Sequence, residues 1–234
     1  MTSESASMQL SRCQDSAGQN TRLKSALLVC SLVGEHDRAD ITAFDLTIAV
    51  DGGTQWFKNR DVVPDIAAGD FDSIQVDAMQ WLEATAAKVQ KVPKDKDFSD
   101  LELALSIARD LGVEEVTVLG AIGRRIDHQI CVLGALLRSS IPQVALLGSE
   151  DAGARVVRLL RAGDSLRLDE EAPSAETFSV ISAEPATLSI SGARWSLDRA
   201  EITPFSSHGL SNSCLGEGRV TITVHSGTAF VVIL

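Results

Sequence analysis

An α/β domain with a mostly parallel, Rossmann-like sheet, followed by an all-β sandwich, is the fold that three observations in the 234-residue sequence predict. From Lys24 to about Gly148, short apolar runs alternate with helix-like segments, the pattern of β/α units on a parallel sheet. After about Ser149 the helical periodicity vanishes, and segments such as Thr187-Leu188-Ser189-Ile190-Ser191 alternate polar and apolar residues with period two. Glycine- and charge-bearing motifs fall where strands of the first half hand over to helices, the place where open α/β sheets hold their ligands.

Taken in order, the apolar runs at 26–33, 46–50, 66–68, 88–92, 115–119 and 143–147 are expected strands. Between them, 76–87 and 101–111 carry helical spacing, with Leu101, Ala104, Leu105, Ala108 and Leu111 on one face. A further helix is expected over 126–137, where Ile126, Ile130, Leu133 and Leu137 form an apolar stripe. Near the C-terminus, 220–224 and 229–234 read as a closing hairpin in which Gly227 supplies the turn. The resulting division is a disordered tail at 1–22, an α/β catalytic domain at 23–150 and a β-sandwich at 151–234, with a boundary rich in Gly, Ser and acidic residues.

A chain of this length buries roughly 70% of its unfolded surface, so a sizeable core is expected. The net charge of −11 argues against nucleic acid and against an anionic membrane as partners, since both attract basic faces. Cys13, Cys30, Cys131 and Cys214 lie far apart without a Cys-x-x-Cys pair, so neither a zinc site nor a disulfide framework is indicated. Reduced thiols and a cytoplasmic location are the expectation. Residues 1–21 lack the apolar centre of a secretion signal, and Met8 offers an alternative start.

The chemistry concentrates in four segments. Asp51-Gly52-Gly53 follows an apolar strand, so its glycines sit where a backbone turns tightly or approaches a phosphate; an ordinary βα loop capped by Asp51 is the competing reading. Asp70 and Asp72 stand two apart at a strand end. In extended chain both side chains point the same way and meet one hard cation, whereas solvated turn residues would need no cation at all. Asp95, Asp97 and Asp100 crowd the start of a helix that Ser99 and Glu102 would cap as a capping box. The helix dipole favours an acidic residue there by only about 0.3–1 kcal/mol and accounts for one carboxylate, not three. Gly120 to His128 joins a strand to a helix and brings Arg124 and Arg125 to the helix start. Cations oppose the dipole there, so phosphate recognition or an acidic partner such as Asp127 explains them better. His128 is either a helix-start residue or an assistant in catalysis, and His36, His208 and His225 show no ligand spacing. In the second half, Trp195 with the polar turn around Ser211 and Asn212 suits a planar, cationic heteroaromatic ligand, or is simply packing.

In this order and with these gaps, Asp51-Gly52-Gly53, Gly69 to Ser73, Asp95 to Asp100, Gly120 to His128 and Trp195 with Ser211 and Asn212 resemble the thiamine pyrophosphokinase (thiamine diphosphokinase) family over roughly residues 25–234. The resemblance implies transfer of the diphosphoryl group of ATP to thiamine, with Mg²⁺ as cofactor. It also implies a homodimer whose active sites lie at the subunit interface. By motif match, Asp70, Asp72 and Asp100 would hold the metal, with Asp51 beside them and Asp97 or Asp100 available as a base. Gly52, Gly53, Ser99, Arg124, Arg125, Asp127 and His128 would serve the nucleotide side, and Trp195, Ser211 and Asn212 the thiamine side. Arg124 stands where the family commonly has a glycine, Thr54 where alanine is usual and Arg194 where lysine is common. Another heterocyclic alcohol, such as a hydroxymethylpterin, and an inactive nucleotide- or thiamine-binding module are the alternatives.

Overall fold

Aliphatic runs that are apolar on both faces become the inner strands of the large sheet, as strands covered by helices on both sides require. The computed structural model describes residues 23–34, 37–72, 74–123, 125–148, 154–171, 177–215 and 219–234. The expected tail at 1–22 with Met8 and Cys13, and the expectations for His36 and Arg124, lie outside the described residues.

In chain order the first half forms β1 (Ser25–Val29), β2 (Leu46–Val50), α1 (Thr54–Lys58), β3 (Ile66–Gly69), α2 (Val76–Glu83), β4 (Lys88–Lys91), α3 (Asp100–Asp110), β5 (Glu115–Leu119), α4 (Ile126–Arg138) and β6 (Gln143–Leu147). Six strands run parallel in the order β4-β3-β2-β1-β5-β6. Alternate residues of one strand face opposite helices. Ala26, Leu28, Ile48 and Ala68 pack with α3 and α4, while Leu27, Val29, Ala49 and Ala67 pack with Trp56 and Phe57 of α1 and Leu82 of α2. The edge strand β4 carries Lys88 and Lys91, charges that discourage pairing with another chain.

The expected helix at 101–111 is α3. Ser99 accepts from the Glu102 backbone N–H, Glu102 accepts from that of Ser99, and Leu101, Ala104, Leu105 and Ala108 are buried. At about 1.5–3 kcal/mol per fully buried leucine, that face outweighs the cap in holding the helix. Two expectations are corrected. The strand expected over 26–33 ends at Val29, and past it the chain stays bonded to the end of β5 as a turn: the Cys30 N–H donates to the Leu119 carbonyl at 2.8 Å and that of Leu32 to Gly120 at 2.9 Å. On α4 the expected stripe does not face the core as a unit. Ala135 and Leu136 are buried, whereas Ile126 and Ile130 are 69% and 63% exposed.

The second half adds β7 (Val156–Arg161), β8 (Ser165–Arg167), β9 (Thr177–Ser182), β10 (Ala186–Ser191), β11 (Leu197–Ile202), β12 (Asn212–Ser213), β13 (Thr221–Ser226) and β14 (Thr228–Ile233). Strand β7 pairs antiparallel with β6, and the large sheet continues through β14 and β9 to β12, ten strands in all. A four-stranded antiparallel sheet, β11-β10-β13-β8, faces this extension. Phe178, Val180, Val231 and Ile233 from one layer and Leu188, Ile190, Ile222 and Val224 from the other form the sandwich core.

The expected closing hairpin is not one. Strand β13 pairs with β10 and β8 while β14 pairs with β7 and β9, so Gly227 turns the chain from one sheet into the opposite one. Both strands alternate toward the same core, and a sequence pattern of period two reads identically for a hairpin and for such an arch. Gly227 has φ 76°, and a Cβ there would meet the Pro185 carbonyl oxygen at 2.4 Å.

Candidate active site

Strand β1 lies between β2 and β5. The chain proceeds outward through β2, β3 and β4 and returns along α3 to the other side of β1, which makes the C-terminal ends of β1 and β5 the switch point of the sheet. A cleft of about 860 Å³ opens there. Its walls come from the turns after β1, β2 and β5 and from the first turns of α3 and α4, with Asp51, Ser99, Asp100, Arg125 and His128 among the polar residues.

The turn after β2 is shaped by packing. A Cβ on Gly53 would stand 1.9 Å from the Val29 carbonyl oxygen, so only glycine lets this turn lie against β1. The close approach expected of Gly53 is therefore to the chain's own backbone, and a Cβ on Gly52 would meet the Ser31 hydroxyl at 2.9 Å. Asp51 is buried with φ 47°, and its carboxylate, together with those of Asp70 and Asp72, offers oxygen atoms that all lie within 4.8 Å of one another.

Asp70 and Asp72 converge by a route other than strand alternation. Strand β3 stops at Gly69, and Phe71 adopts φ 58°, a conformation costing about 1–3 kcal/mol for a bulky residue. Burial of the Phe71 ring in the core is worth a similar amount and holds the turn. The Asp72 N–H then donates to Asp70 Oδ1 at 3.0 Å, and that bond, with the nearby Lys96 ammonium, holds the Asp70 carboxyl below its usual range.

Asp100 is not among the three converging carboxylates. Its Oδ1 accepts from the Lys96 ammonium at 2.7 Å, and the same ammonium lies 3.6 Å from Asp70 Oδ2. Burial, the largest influence, pulls this lysine down, yet Asp100 and Asp70 together hold it above the ordinary lysine range. Lys94 pairs with Asp72 on the surface, and Asp97 is exposed outside the cleft. Lys96 has no role in the sequence analysis; the signal available is its place among Asp95, Asp97 and Asp100, where a lysine has carboxylates to pair with. Cys30, read from the sequence only as a reduced thiol, also stands at the site. It lines the cleft, and burial, then the charges of Asp100 and Asp51, push its thiol up to about 12.

On the opposite wall Arg125 precedes α4, and its guanidinium binds both carboxylate oxygens of Asp127. That pairing holds Asp127 down to about 2. Arg125 and His128 line the cleft and are exposed, and Asp127 is exposed as well.

Trp195, Ser211 and Asn212 gather elsewhere, at the end of the sandwich. Trp195 is 53% exposed, with the Arg194 guanidinium 4.8 Å from its ring centroid. Asn212 is buried, and its amide is occupied by the backbone: Nδ2 donates to the Trp195 carbonyl at 2.8 Å, and Oδ1 accepts from the N–H groups of Trp195 at 3.1 Å and Ser213 at 2.9 Å. Ser211, with φ 55°, is exposed beside them.

The donor set fits a hard divalent cation, because three carboxylates supply only oxygen ligands within reach of one centre. An open α/β sheet with a carboxylate-rimmed switch-point cleft, joined to a β-sandwich, defines an enzyme class suited to polyphosphate substrates. Residues 12–146 match the family described as Thiamin pyrophosphokinase, catalytic domain, and residues 165–229 match Thiamin pyrophosphokinase, vitamin B1 binding domain. The chain belongs to the thiamin pyrophosphokinase family.

Among relatives, it is 25% identical over 190 residues to the thiamine pyrophosphokinase of Bacillus subtilis (strain 168), covering 80% of this chain and 86% of that one. It is 29% identical over 147 residues to thiamine pyrophosphokinase 1 of Oryza sativa subsp. japonica, covering 60% of this chain and 55% of that one. Among solved structures, the thiamine pyrophosphokinase of Bacillus subtilis superposes with TM-score 0.74 at 24% identity, covering 90% of this chain and 98% of that one. The yeast thiamin pyrophosphokinase superposes with TM-score 0.70 at 13% identity, covering 92% and 87%. These superpositions bear on the fold alone.

Proposed function

We propose that the cleft transfers the intact diphosphoryl group of ATP to the hydroxyl of thiamine, giving thiamine diphosphate and AMP. The observation that carries this reading is the convergence of Asp51, Asp70 and Asp72 at the C-terminal edge of the sheet, with Asp51 lining the switch-point cleft, in a chain of this family. In the reaction the thiamine oxygen forms a bond to the β-phosphorus while the bond from that phosphorus to the oxygen bridging it to the α-phosphorus breaks, and AMP departs with that oxygen. Asp51, Asp70 and Asp72 would hold Mg²⁺, which when bound neutralises charge on the phosphate oxygens. Arg125, kept oriented by Asp127, supplies a planar donor to the nucleotide phosphates, and Arg124 and His128 are assigned to the same side. Asp100 lines the cleft and is better placed than the exposed Asp97 to take the hydroxyl proton. Leu32, Leu101 and Val132 give the cleft an apolar lining.

Trp195 and Ser211 would receive thiamine, the ring stacking against its cationic thiazolium. The exposed Trp195, Leu210 and Leu215 on the sandwich and Ile126 and Ile130 on α4 support a homodimer in which this end meets the partner's cleft. Among the described residues no helix is long and apolar enough to cross a membrane. A cytoplasmic enzyme without a nucleic-acid partner accords with the acidic net charge. Incubation with ATP, Mg²⁺ and thiamine, followed by separation of products, tests the reading. AMP and thiamine diphosphate are expected, and ADP or free phosphate in their place overturns it.

A further inference from the structure

Lys96 is the feature that the proposed reaction leaves unused. Its side chain is only 8% exposed, and its ammonium sits between Asp100 Oδ1 at 2.7 Å and Asp70 Oδ2 at 3.6 Å, with the Phe98 ring centroid 5.9 Å away. A lysine this enclosed is costly unless its charge is matched, so a position between two carboxylates is what permits it there. Lys94, by contrast, reaches Asp72 from the surface and is 74% exposed. Asp70 belongs at once to the Lys96 pair and to the converging set with Asp51 and Asp72. Among the described residues, the carboxylates of Asp51, Asp70, Asp72 and Asp100 and the ammonium groups of Lys94 and Lys96 sum to a formal charge of −2. Without the Lys96 ammonium, Asp70 and Asp100 would face each other as a second pair of hard oxygen donors.

We propose that Lys96 is the resident counter-ion of the acidic centre: its ammonium fills the position between Asp70 and Asp100 that a second divalent cation would otherwise take, and so limits the centre to one ion. Lys96 acts through Asp70 and Asp100, which makes it a positioning residue, and the inference rests on the reading of Asp51, Asp70 and Asp72 as a divalent-cation site. A strut without this role would change stability when removed but would open no new cation site.

The test is Mn²⁺ binding to the full chain without nucleotide, measured by the electron paramagnetic resonance of free Mn²⁺, with circular dichroism confirming the fold. One ion per chain is expected for the wild type and for Lys96→Arg, and a second ion of comparable affinity for Lys96→Met. In Lys96→Met combined with Asp100→Asn the second ion is lost again. Lys96→Gln serves in place of Lys96→Met if the latter does not fold. Equal stoichiometry in the wild type and the neutral variant overturns the proposal, as does a wild type that already binds two ions. The proposed reaction is judged separately by its products. A chain that makes thiamine diphosphate and AMP but shows equal Mn²⁺ stoichiometry sinks only the inference on Lys96.

Discussion

Replacing Asn212 separates a residue that contacts substrate from one that holds the contacting residue in place. The Asn212 amide makes three hydrogen bonds to the backbone of Trp195 and Ser213 from a buried position, while Trp195 itself is half-exposed. At about 1 kcal/mol net per hydrogen bond, Asn212→Ala removes about 3 kcal/mol, and water reaching the freed Trp195 backbone recovers part of it. A loss of about 2–3 kcal/mol in a chain of this size lowers the melting temperature by about 4–12 °C. The same loosening frees the Trp195 ring, so KM for thiamine should rise about tenfold, the equivalent of about 1.4 kcal/mol of lost ordering, while KM for ATP stays unchanged. Asn212→Asp keeps both accepted bonds and loses only the donated one, so it should fall between the wild type and the alanine variant. Thermal melts and steady-state kinetics with each substrate varied in turn provide the measurements. A melting temperature that falls while KM for thiamine does not move would refute this role for Asn212.

Three further outcomes are expected. Asp72→Asn should lower turnover about a hundredfold or more, the scale for removing one group that stabilises transferring charge, with an almost unchanged melt because its pair with Lys94 is exposed. Labelling with a thiol reagent at pH 8, read by mass spectrometry, should modify the exposed Cys131 and leave Cys30 untouched until the chain is denatured, because a thiol pushed up to about 12 stays protonated there. Glu102 is held below its usual range first by the Ser99 backbone N–H and then by Arg138, so its stabilisation is fully present above the unfolded value near 4.5 and is lost as pH falls through the lower folded value. Glu102→Gln should therefore lower stability by about 1 kcal/mol at pH 7 and flatten the acid limb of a denaturant-midpoint profile; an unchanged slope would contradict the assignment.

Much of the site was readable in the sequence because its segments sit where strand gives way to helix, and the capping box at Ser99 and Glu102 follows from local spacing alone. The Asp70 and Asp72 pair was found for a reason the structure replaces. Their convergence depends on the left-handed Phe71 and its buried ring, a backbone choice that no period of apolar residues encodes. Motif match places Asn212 on the thiamine side, while its three backbone bonds show its amide holding the Trp195 and Ser213 backbone.

By itself, the sequence determined the succession of strands and helices, the change to an all-β second half and the acidic character of the centre, since these depend on local periodicity and residue chemistry. Tertiary structure decided the rest. It made Gly227 an arch between sheets, carried the large sheet on from β6 into β7, turned Ile126 and Ile130 outward, and grouped Asp51 with Asp70 and Asp72 while giving Asp100 to Lys96. Such choices depend on which distant surfaces meet, and short-range pattern carries no record of that.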